Sequence, residues 1–333
     1  MTVLQNAPLS ILVVGGAGYI GAHMVKALRC AGFCPVVLDD LSSGHADAVG
    51  EAELVVGSMA DPAALEGLFL RHRFAAVMHF ASFIQVGESV TDPAKYYRNN
   101  VAATLVLLEA MRRAGVGCFI FSSTAAVYGD PVYSPIDEDH PRNPINPYGR
   151  SKWMIEQVLA DYDRAYGLRS VCLRYFNAAG ADPDGRLGEC HEPETHLIPL
   201  VLQAAKGRRD AISVFGCDYD TPDGTCIRDY IHVSDLCDAH LRALHRLLEG
   251  GGSACFNLGN GQGFSVREVI EAARRVTGRD IPVCYAARRA GDPPRLVADA
   301  RRAREVLGWQ PRRPDLETIV ADAWAWECRY PWY

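Results

Sequence analysis

Short β-branched runs separated by stretches of helical spacing constrain this chain more than any other feature. The first is SILVVGG at 10–16, followed by a helical pattern from Tyr19 to Ala31 and by a second run, PVVLDD, at 35–40. ELVVG (53–57), AAVMHFA (75–81) and CFIFSS (118–123) continue the series, with helical stretches at 61–72 and 93–115 between them. Such alternation predicts a parallel sheet wrapped by helices on both faces. SVCLRYF at 170–176 reads as a sixth strand, and beyond Asn177 the pattern loosens as Pro, Gly and Asp accumulate.

The turn after the first run carries a specific signal. GGAGYIG (15–21) contains Gly16-x-Gly18-x-x-Gly21 directly between a predicted strand and a predicted helix, the context that a dinucleotide fingerprint requires. Glycines let the backbone turn tightly and approach a pyrophosphate, and the helix start adds amides and partial positive charge. Asp39 and Asp40 end the second run, where an acid accepts hydrogen bonds from an adenosine ribose and repels a 2'-phosphate. The cofactor expected is therefore NAD, not NADP. A ligand-free glycine turn is the bland alternative, and both flanks and the acids weigh against it. The fold expected is α/β, a Rossmann-type doubly wound parallel sheet over residues 1–176. A smaller mixed α/β domain is expected over 177–333, with a return to the sheet around 228–257.

Two further stretches suit chemistry. The fifth of the runs ends in the hydroxyls Ser122, Ser123 and Thr124, and ligands in open α/β sheets sit beyond the carboxyl ends of strands. Ser122 and Ser123 read as a turn bonding its own backbone, and Thr124 as a residue facing a ligand. NPYGRSK (146–152) begins a helix, with Asn146 as N-cap and Pro147 in the first turn. Tyr148 and Lys152, four apart, then share a face. A phenol is a poor base at neutral pH, and lowering its pKa by about 3 units takes about 4 kcal/mol. A lysine ammonium and a nicotinamide cation near a desolvated site supply charge of the right sign, which makes Tyr148 a candidate acid/base. Alone, such a pair is an ordinary solvated face; behind the fingerprint and the Ser-Ser-Thr strand end it is not.

Composition bounds the rest. The 333 residues are 49% hydrophobic and 22% charged, enough for a large core in one or two domains. No stretch reads as a secretory signal or as the roughly 20 apolar residues of a membrane span, so a cytoplasmic protein is expected. Eleven cysteines without a CxxC pair or tight Cys/His spacing indicate neither disulfides nor a metal site. A formal charge of -6 argues against nucleic acid and acidic membrane as partners. The 93–115 helix is apolar on more than one face, Val101, Leu105 and Leu108 on one and Val106 and Ala110 on another, which suits burial or a second subunit.

These residues together resemble the extended short-chain dehydrogenase/reductase family, and within it the UDP-sugar 4-epimerases. GGAGYIG, LDDLSSG (38–44), HFASFIQVGESV (79–90), YYRNNV (96–101), SSTAAVYGD (122–130), NPYGRSK, LRYFNAAGA (173–181), GTCIRDYIHV (224–233), FNLGNG (256–261) and RRAGDPP (288–294) come in family order. The resemblance implies reversible interconversion of UDP-glucose and UDP-galactose on tightly held NAD, through a 4-keto sugar. Tyr148 would exchange the proton of the 4-hydroxyl, Lys152 would also hold the nicotinamide ribose, and Thr124 would bond the 4-oxygen. It implies a cofactor site of Gly15, Gly16, Gly18, Tyr19, Ile20, Gly21, Asp39, Asp40, Ser43, Ser58, Met59, Phe80, Ala81, Asn99, Ser122 and Phe176 beside the catalytic pair. It implies substrate contacts from Asn177, His196, Val214, Phe215, Arg228, Arg289, Asp292 and Leu296, the arginines through charge-assisted bonds to phosphate. A homodimer is the expected assembly.

The chain departs from the family pattern at four positions. Ile84 stands where well-known members carry a cofactor-contacting lysine, and Ser58 where they carry an adenine-contacting aspartate. His196 occupies a position often filled by asparagine. Leu296 lies where residue size decides whether N-acetylated sugars enter, and leucine is intermediate, so a UDP-N-acetylglucosamine 4-epimerase or a bifunctional enzyme stays open. A nucleotide-sugar 4,6-dehydratase would need an acidic pair where this chain has Ala125 and Ala126, and two alanines move no proton. A non-catalytic NAD-binding module would not need Thr124, Tyr148 and Lys152 together.

Overall fold

A computed structural model describes residues 7–289 and 292–329; Ala290 and Gly291 of the RRAGDPP stretch lie outside the described residues. Along the first half run β1 (Ser10–Val14), α1 (Tyr19–Cys30), β2 (Cys34–Asp39), β3 (Glu53–Val56), α2 (Pro62–Arg71) and β4 (Phe74–His79). Then come α3 (Val86–Thr91), α4 (Pro93–Tyr96), a π-helical segment (Tyr97–Ala103), α5 (Thr104–Ala114), β5 (Cys118–Thr124), α6 (Pro147–Tyr166) and β6 (Arg169–Tyr175). The second half holds β7 (Asn177–Ala179), α7 (Leu197–Ala205), β8 (Ile212–Phe215), β9 (Ile227–Arg228), β10 (Tyr230–His232), α8 (Val233–Leu248) and β11 (Ala254–Leu258). It closes with β12 (Phe264–Ser265), α9 (Val266–Thr277), β13 (Val283–Ala286), β14 (Arg295–Leu296), α10 (Arg301–Leu307) and α11 (Leu316–Arg329).

Seven parallel strands form the main sheet in the order β11-β6-β5-β4-β1-β2-β3. The order reverses between β1 and β4, and a crevice opens at their carboxyl ends. Except for the edge strand β3, the strands bury both faces, which is why they read as nearly continuous apolar runs. Ile11, Val13, Val37, Met78, Ile120 and Val171 face α1 and α8, whereas Leu12, Val14, Val36, Val77, Phe119 and Phe121 face α2, α5 and α6. A separate core under α7, α9 and α11 supports the small sheets β10-β7, β12-β9-β14 and β13-β8. The chain comes back to the large sheet with α8 and β11; β9 and β10 pair elsewhere.

The 93–115 stretch is not one regular helix. Between α4 and α5 lies the π-helical turn, where Thr104 Oγ1 donates to the Asn100 carbonyl at 2.9 Å. Extra backbone width there lets Asn99 and Asn100 project sideways, a common use of π segments near functional sites. Asn100 brackets Phe83, accepting from its amide at 3.0 Å and donating to its carbonyl at 3.0 Å, and so fixes the loop after β4.

Helix α6 starts as its residues dictate: the Asn146 side chain accepts from Gly149 N at 2.8 Å and Pro147 occupies the first turn. Gly167, at φ 69°, ends it in the left-handed region. The helix is fastened to the sheet by a buried ion pair. Arg174 of β6 reaches Glu156 of α6 through Nε at 2.9 Å and Nη2 at 2.5 Å, and Ser123 of β5 donates to the same carboxylate at 2.5 Å. Arg174 Nη1 continues to the Tyr128 hydroxyl at 2.9 Å, which donates to Asn257 of β11 at 2.6 Å. Glu156→Ala leaves that guanidinium buried without its anion, so unfolding free energy should fall by ~3–5 kcal/mol in urea titrations. A loss under ~1 kcal/mol would show that the pair does not hold the helix.

Candidate active site

Three elements build the phosphate loop. β1 delivers Gly15, whose amide bonds the Leu38 carbonyl at 2.8 Å and whose φ of 80° suits only glycine comfortably. A Cβ there would meet Ala81 N at 2.5 Å, and a Cβ at Gly21 would strike the Gly15 carbonyl. These two glycines are packing requirements of the loop itself. Gly18 differs: as N-cap of α1 its Cβ would meet nothing closer than the Gly15 oxygen at 3.6 Å. Glycine is therefore kept where the protein leaves open space, in front of a helix start with no capping side chain and no acid in its first turn. That cradle suits a diphosphate.

The adjacent acids have separate tasks. Asp39 is buried, and its two oxygens accept the amides of Ala17 and Leu41, both at 2.9 Å. Burial pushes its carboxyl up, and these amides oppose the shift. It holds the loop shut. Asp40 is exposed, and among the described residues its side chain accepts Ser42 N alone, at 3.0 Å, through one oxygen. Gly15, Gly18, Asp39, Asp40, Ser43, Ser58, Met59, Phe80, Ala81 and Asn99 all line one cleft, joined by Ser82 and Phe83. Ile20 packs on the core behind it, and Tyr19 donates to the Gly180 carbonyl at 2.7 Å. Ile84 is exposed. The cleft fits a dinucleotide with a free 2'-hydroxyl. A larger, mixed-charge cavity along α1 and α8, with Lys26 and Arg313 in its wall, contains none of these residues.

At the strand end, Ser122 and Ser123 do not form the self-bonding turn. Strand β5 commits their backbone to β6, so the buried hydroxyls turn to side chains, Ser122 to His240 Nε2 at 3.3 Å and Ser123 to Glu156. Thr124, the last residue of β5, makes the local turn instead, its Oγ1 accepting from Ala126 N at 3.1 Å. Tyr148 stands near enough to Thr124 for that side chain to act on its phenol.

Lys152 is buried with Nζ donating to Ser82 Oγ at 2.8 Å and to the Ser122 carbonyl at 2.7 Å. Desolvation pushes its ammonium down to about 7, against the Glu156 charge. The Tyr148 phenol is pushed up by desolvation, with Thr124 opposing. The expected lowering of the phenol by Lys152 is thus not present in the protein alone. The ammonium is tied to Ser82 and to the end of β5 and is itself biased toward neutrality.

Among the residues expected to contact substrate, Arg228 Nη2 and Asp292 Oδ1 meet at 3.3 Å, and Arg289 lies 3.9 Å over the Phe215 ring. Asn177 Nδ2 donates to the Asp229 carbonyl at 3.0 Å. Leu296 and Phe176 pack on Ala125, Val127 and Tyr128, next to Thr124. Val214 is buried in the second core, so its side chain presents no surface. His196 caps α7 and turns Nδ1 to Glu189. With it the structure gathers Glu189, His191, Glu194 and His196, although the sequence reading expected no metal-ligating cluster. The signal in the sequence is the close spacing of histidines and glutamates in ECHEPETH, a pattern that cysteine spacing does not reveal. Ser82, Asn100, Glu156 and His240 were also missed, because their partners lie far off in sequence.

Comparison with known proteins adds four findings. The profile of the NAD dependent epimerase/dehydratase family matches residues 11–259. A UDP-glucose 4-epimerase of Rhizobium meliloti (strain 1021) is 55% identical over 320 residues, 96% of this chain and 97% of its own length. The crystal structure of UDP-glucose 4-epimerase from Brucella ovis in complex with NAD matches with a TM-score of 0.93 at 54% identity, covering 95% of this chain and 97% of that one. The enzyme of that name from Bifidobacterium longum, in complex with NAD+ and UDP, matches with a TM-score of 0.92 at 38% identity, covering 97% and 99%.

Two outcomes follow from this geometry. Gly18→Ala should fold normally yet bind NAD at least ~10-fold more weakly, while Gly21→Ala should lose ~1–3 kcal/mol of stability through overpacking; equal NAD affinity in Gly18→Ala and wild type would remove the cradle. For Lys152, the unfolded chain holds a proton that the folded one lacks between pH ~7 and the ordinary lysine value. Cofactor-free stability should therefore rise with pH across that window, by at most ~1.4 kcal/mol per unit from this group. Urea titrations of Lys152→Met should show a shallower rise than wild type, and identical slopes would mean that Lys152 titrates normally.

Proposed function

The chain belongs to the NAD dependent epimerase/dehydratase family, and from that premise we propose that it interconverts UDP-glucose and UDP-galactose by reversible oxidation at sugar C4. The observation that carries this reading is the meeting of Thr124 and Tyr148 at the end of β5, with Lys152 anchored one helical turn along α6 beside the NAD cleft. NAD, when bound, supplies a reversible hydride acceptor for C4, so the net reaction is redox-neutral. Residues 1–176 are proposed to hold it, with α8 and β11 completing the sheet, and residues 177–333 to hold the UDP-sugar.

The chain's own groups divide the remaining work. Tyr148 takes the proton of the 4-hydroxyl in one direction and returns it to the 4-oxygen in the other. Thr124 holds that oxygen beside the phenol. Lys152, fixed by Ser82 and the Ser122 carbonyl, orients the cofactor ribose. Arg228, paired with Asp292, and Arg289, lying on Phe215, grip the diphosphate and uridine end. Binding energy placed there leaves the sugar loosely held between Phe176 and Leu296. A 4-keto sugar can then turn and present either face.

The alanines at 125 and 126 separate this reading from dehydration, since neither can move a proton. Leu296 leaves room for UDP-N-acetylglucosamine as an alternative substrate, and a panel of UDP-sugars ranks the two. A cytoplasmic location is proposed because Cys118, Cys172, Cys226 and Cys237 are buried as thiols; among the described residues no helix is long and apolar enough to cross a membrane. A homodimer through α5 and α6 is proposed because Arg112 lies over the Tyr166 ring, setting the two helices side by side, while Leu105 and Met154 face outward.

Purified protein supplied with UDP-galactose should form UDP-glucose, and no conversion with or without added NAD would overturn the reading. Tyr148→Phe should retain NAD and lose ~10²–10⁴-fold in turnover; unchanged turnover would take the phenol out of the reaction. Leu105→Glu should shift the assembly from dimer to monomer in sedimentation, and wild type sedimenting as a monomer would remove the interface.

A further inference from the structure

The segment Glu189 to His196 forms a compact loop before α7, and four of its eight residues turn inward to one point. The carboxylates of Glu189 and Glu194 and the imidazoles of His191 and His196 place one ligand atom each within 4.8 Å of all the others. His191 Nδ1 lies 3.2 Å from Glu189 Oε1, and His196 Nδ1 contacts the same oxygen. Both imidazoles also face Glu194, at 3.7 Å.

Both acids are deeply buried, with side chains only 5% and 6% exposed. Among the described residues neither is paired with a lysine or arginine; their ionic partners are the two histidines alone. Two buried carboxylates without a permanent cation need positive charge from somewhere.

The backbone around them is already fastened. Glu194 Oε1 accepts the amides of Thr195 and His196 at 2.6 and 2.8 Å, and Trp326 Nε1 donates to the Glu189 carbonyl at 3.0 Å. Little reorganisation is needed to close the four atoms onto an ion. A tetrahedral zinc site has metal–ligand bonds of about 2.0–2.2 Å, which sets ligand atoms about 3.3 Å apart. His191 and Glu189 already stand at that spacing, the tighter contact of His196 with Glu189 must open, and the widest pair must close by about 1.5 Å.

We propose that Glu189, His191, Glu194 and His196 form a binding site for one divalent transition-metal cation, with Zn2+ the best match. Two imidazoles and two carboxylates, with no thiolate, favour zinc over the soft-ligand metals, and four protein donors define a closed site of structural type. The site goes beyond the epimerase reading and does not depend on it. Its position gives it a consequence. The His191 ring meets the Tyr19 ring edge-on, with centroids 6.4 Å apart, and Tyr19 is the first residue of α1 behind the phosphate loop. Ligation of both histidines through Nδ1 leaves Nε2–H as a donor on each. His196 can therefore be a metal ligand and still offer a proton to a phosphate.

The test is zinc binding by full-length protein dialysed against a chelator, followed by competition with a chromophoric chelator. Wild type should take up one Zn2+ per chain, retain it through gel filtration and melt at a higher temperature than the stripped protein. His191→Ala and Glu194→Gln, each checked for a wild-type circular dichroism spectrum, should bind at least ~10–100-fold more weakly. Co2+ supplied in place of zinc should give wild type a visible tetrahedral spectrum without a thiolate charge-transfer band, a readout that needs neither variant. Failure to retain zinc, equal affinity in the variants, or a thiolate band marking the cysteines as ligands would each overturn the proposal.

Discussion

The buried contact between Glu156 and Arg174 decides where the chemistry can sit. Tyr148 and Lys152 ride on α6, whereas Ser122 and Thr124 belong to β5, and nothing local keeps a helix in register with a strand end. Glu156 lies one turn beyond Lys152 and is gripped by a guanidinium from β6 and a hydroxyl from β5. A neutral pair would pack as well, yet would not select this register. Charge buried away from water tolerates only the arrangement in which every donor finds its acceptor. The same guanidinium extends through Tyr128 to Asn257, whose amide bonds Glu138 at 2.8 Å, so the helix, three strands and the loop after β5 share one polar skeleton.

Around that skeleton the site separates groups that are used up from groups that are left over. Asp39 spends both oxygens on backbone, and Asp40 beside it does not. Gly15 and Gly21 exist because the chain would collide with itself, and Gly18 because something else must fit. Asp229 follows the first pattern: it is fully buried and accepts the amides of Asn260, Gly261 and Ala298, gathering three loops behind Arg228. Neighbouring residues of one motif thus serve the fold and the ligand in turn.

How much of this could be read without coordinates depends on distance along the chain. The phosphate loop, the six strands of the first half and the start of α6 are local, written in glycines, apolar runs and the Asn146-Pro147 pair, and the structure reproduces them within a residue or two. Interactions between distant residues are where reading failed. Ser122 and Ser123 read as turn formers because hydroxyls usually bond nearby backbone; the strand had already taken that backbone, and Glu156 and His240 received the hydroxyls instead. Tyr148 and Lys152 share a helix face as their spacing requires, but spacing does not say which way an ammonium points, and Ser82, 70 residues earlier, draws it aside. The π turn at Tyr97–Ala103 has no sequence signature of its own, since the same apolar spacing serves an unbroken helix.

Strand β11 enters the large sheet beside β6 only after the chain has made its excursion through β7–β10 and α8. On the ribosome, the nascent protein can assemble six strands and the phosphate loop early, but β6 remains an open edge until residue 258 has emerged. The Tyr128 hydroxyl and the Glu138 carboxylate wait equally long, because both meet Asn257. Vectorial synthesis therefore leaves the large sheet incomplete while β7–β10 and α8 are being made. The second core is finished later still, because α9 and α11 are made only after β11.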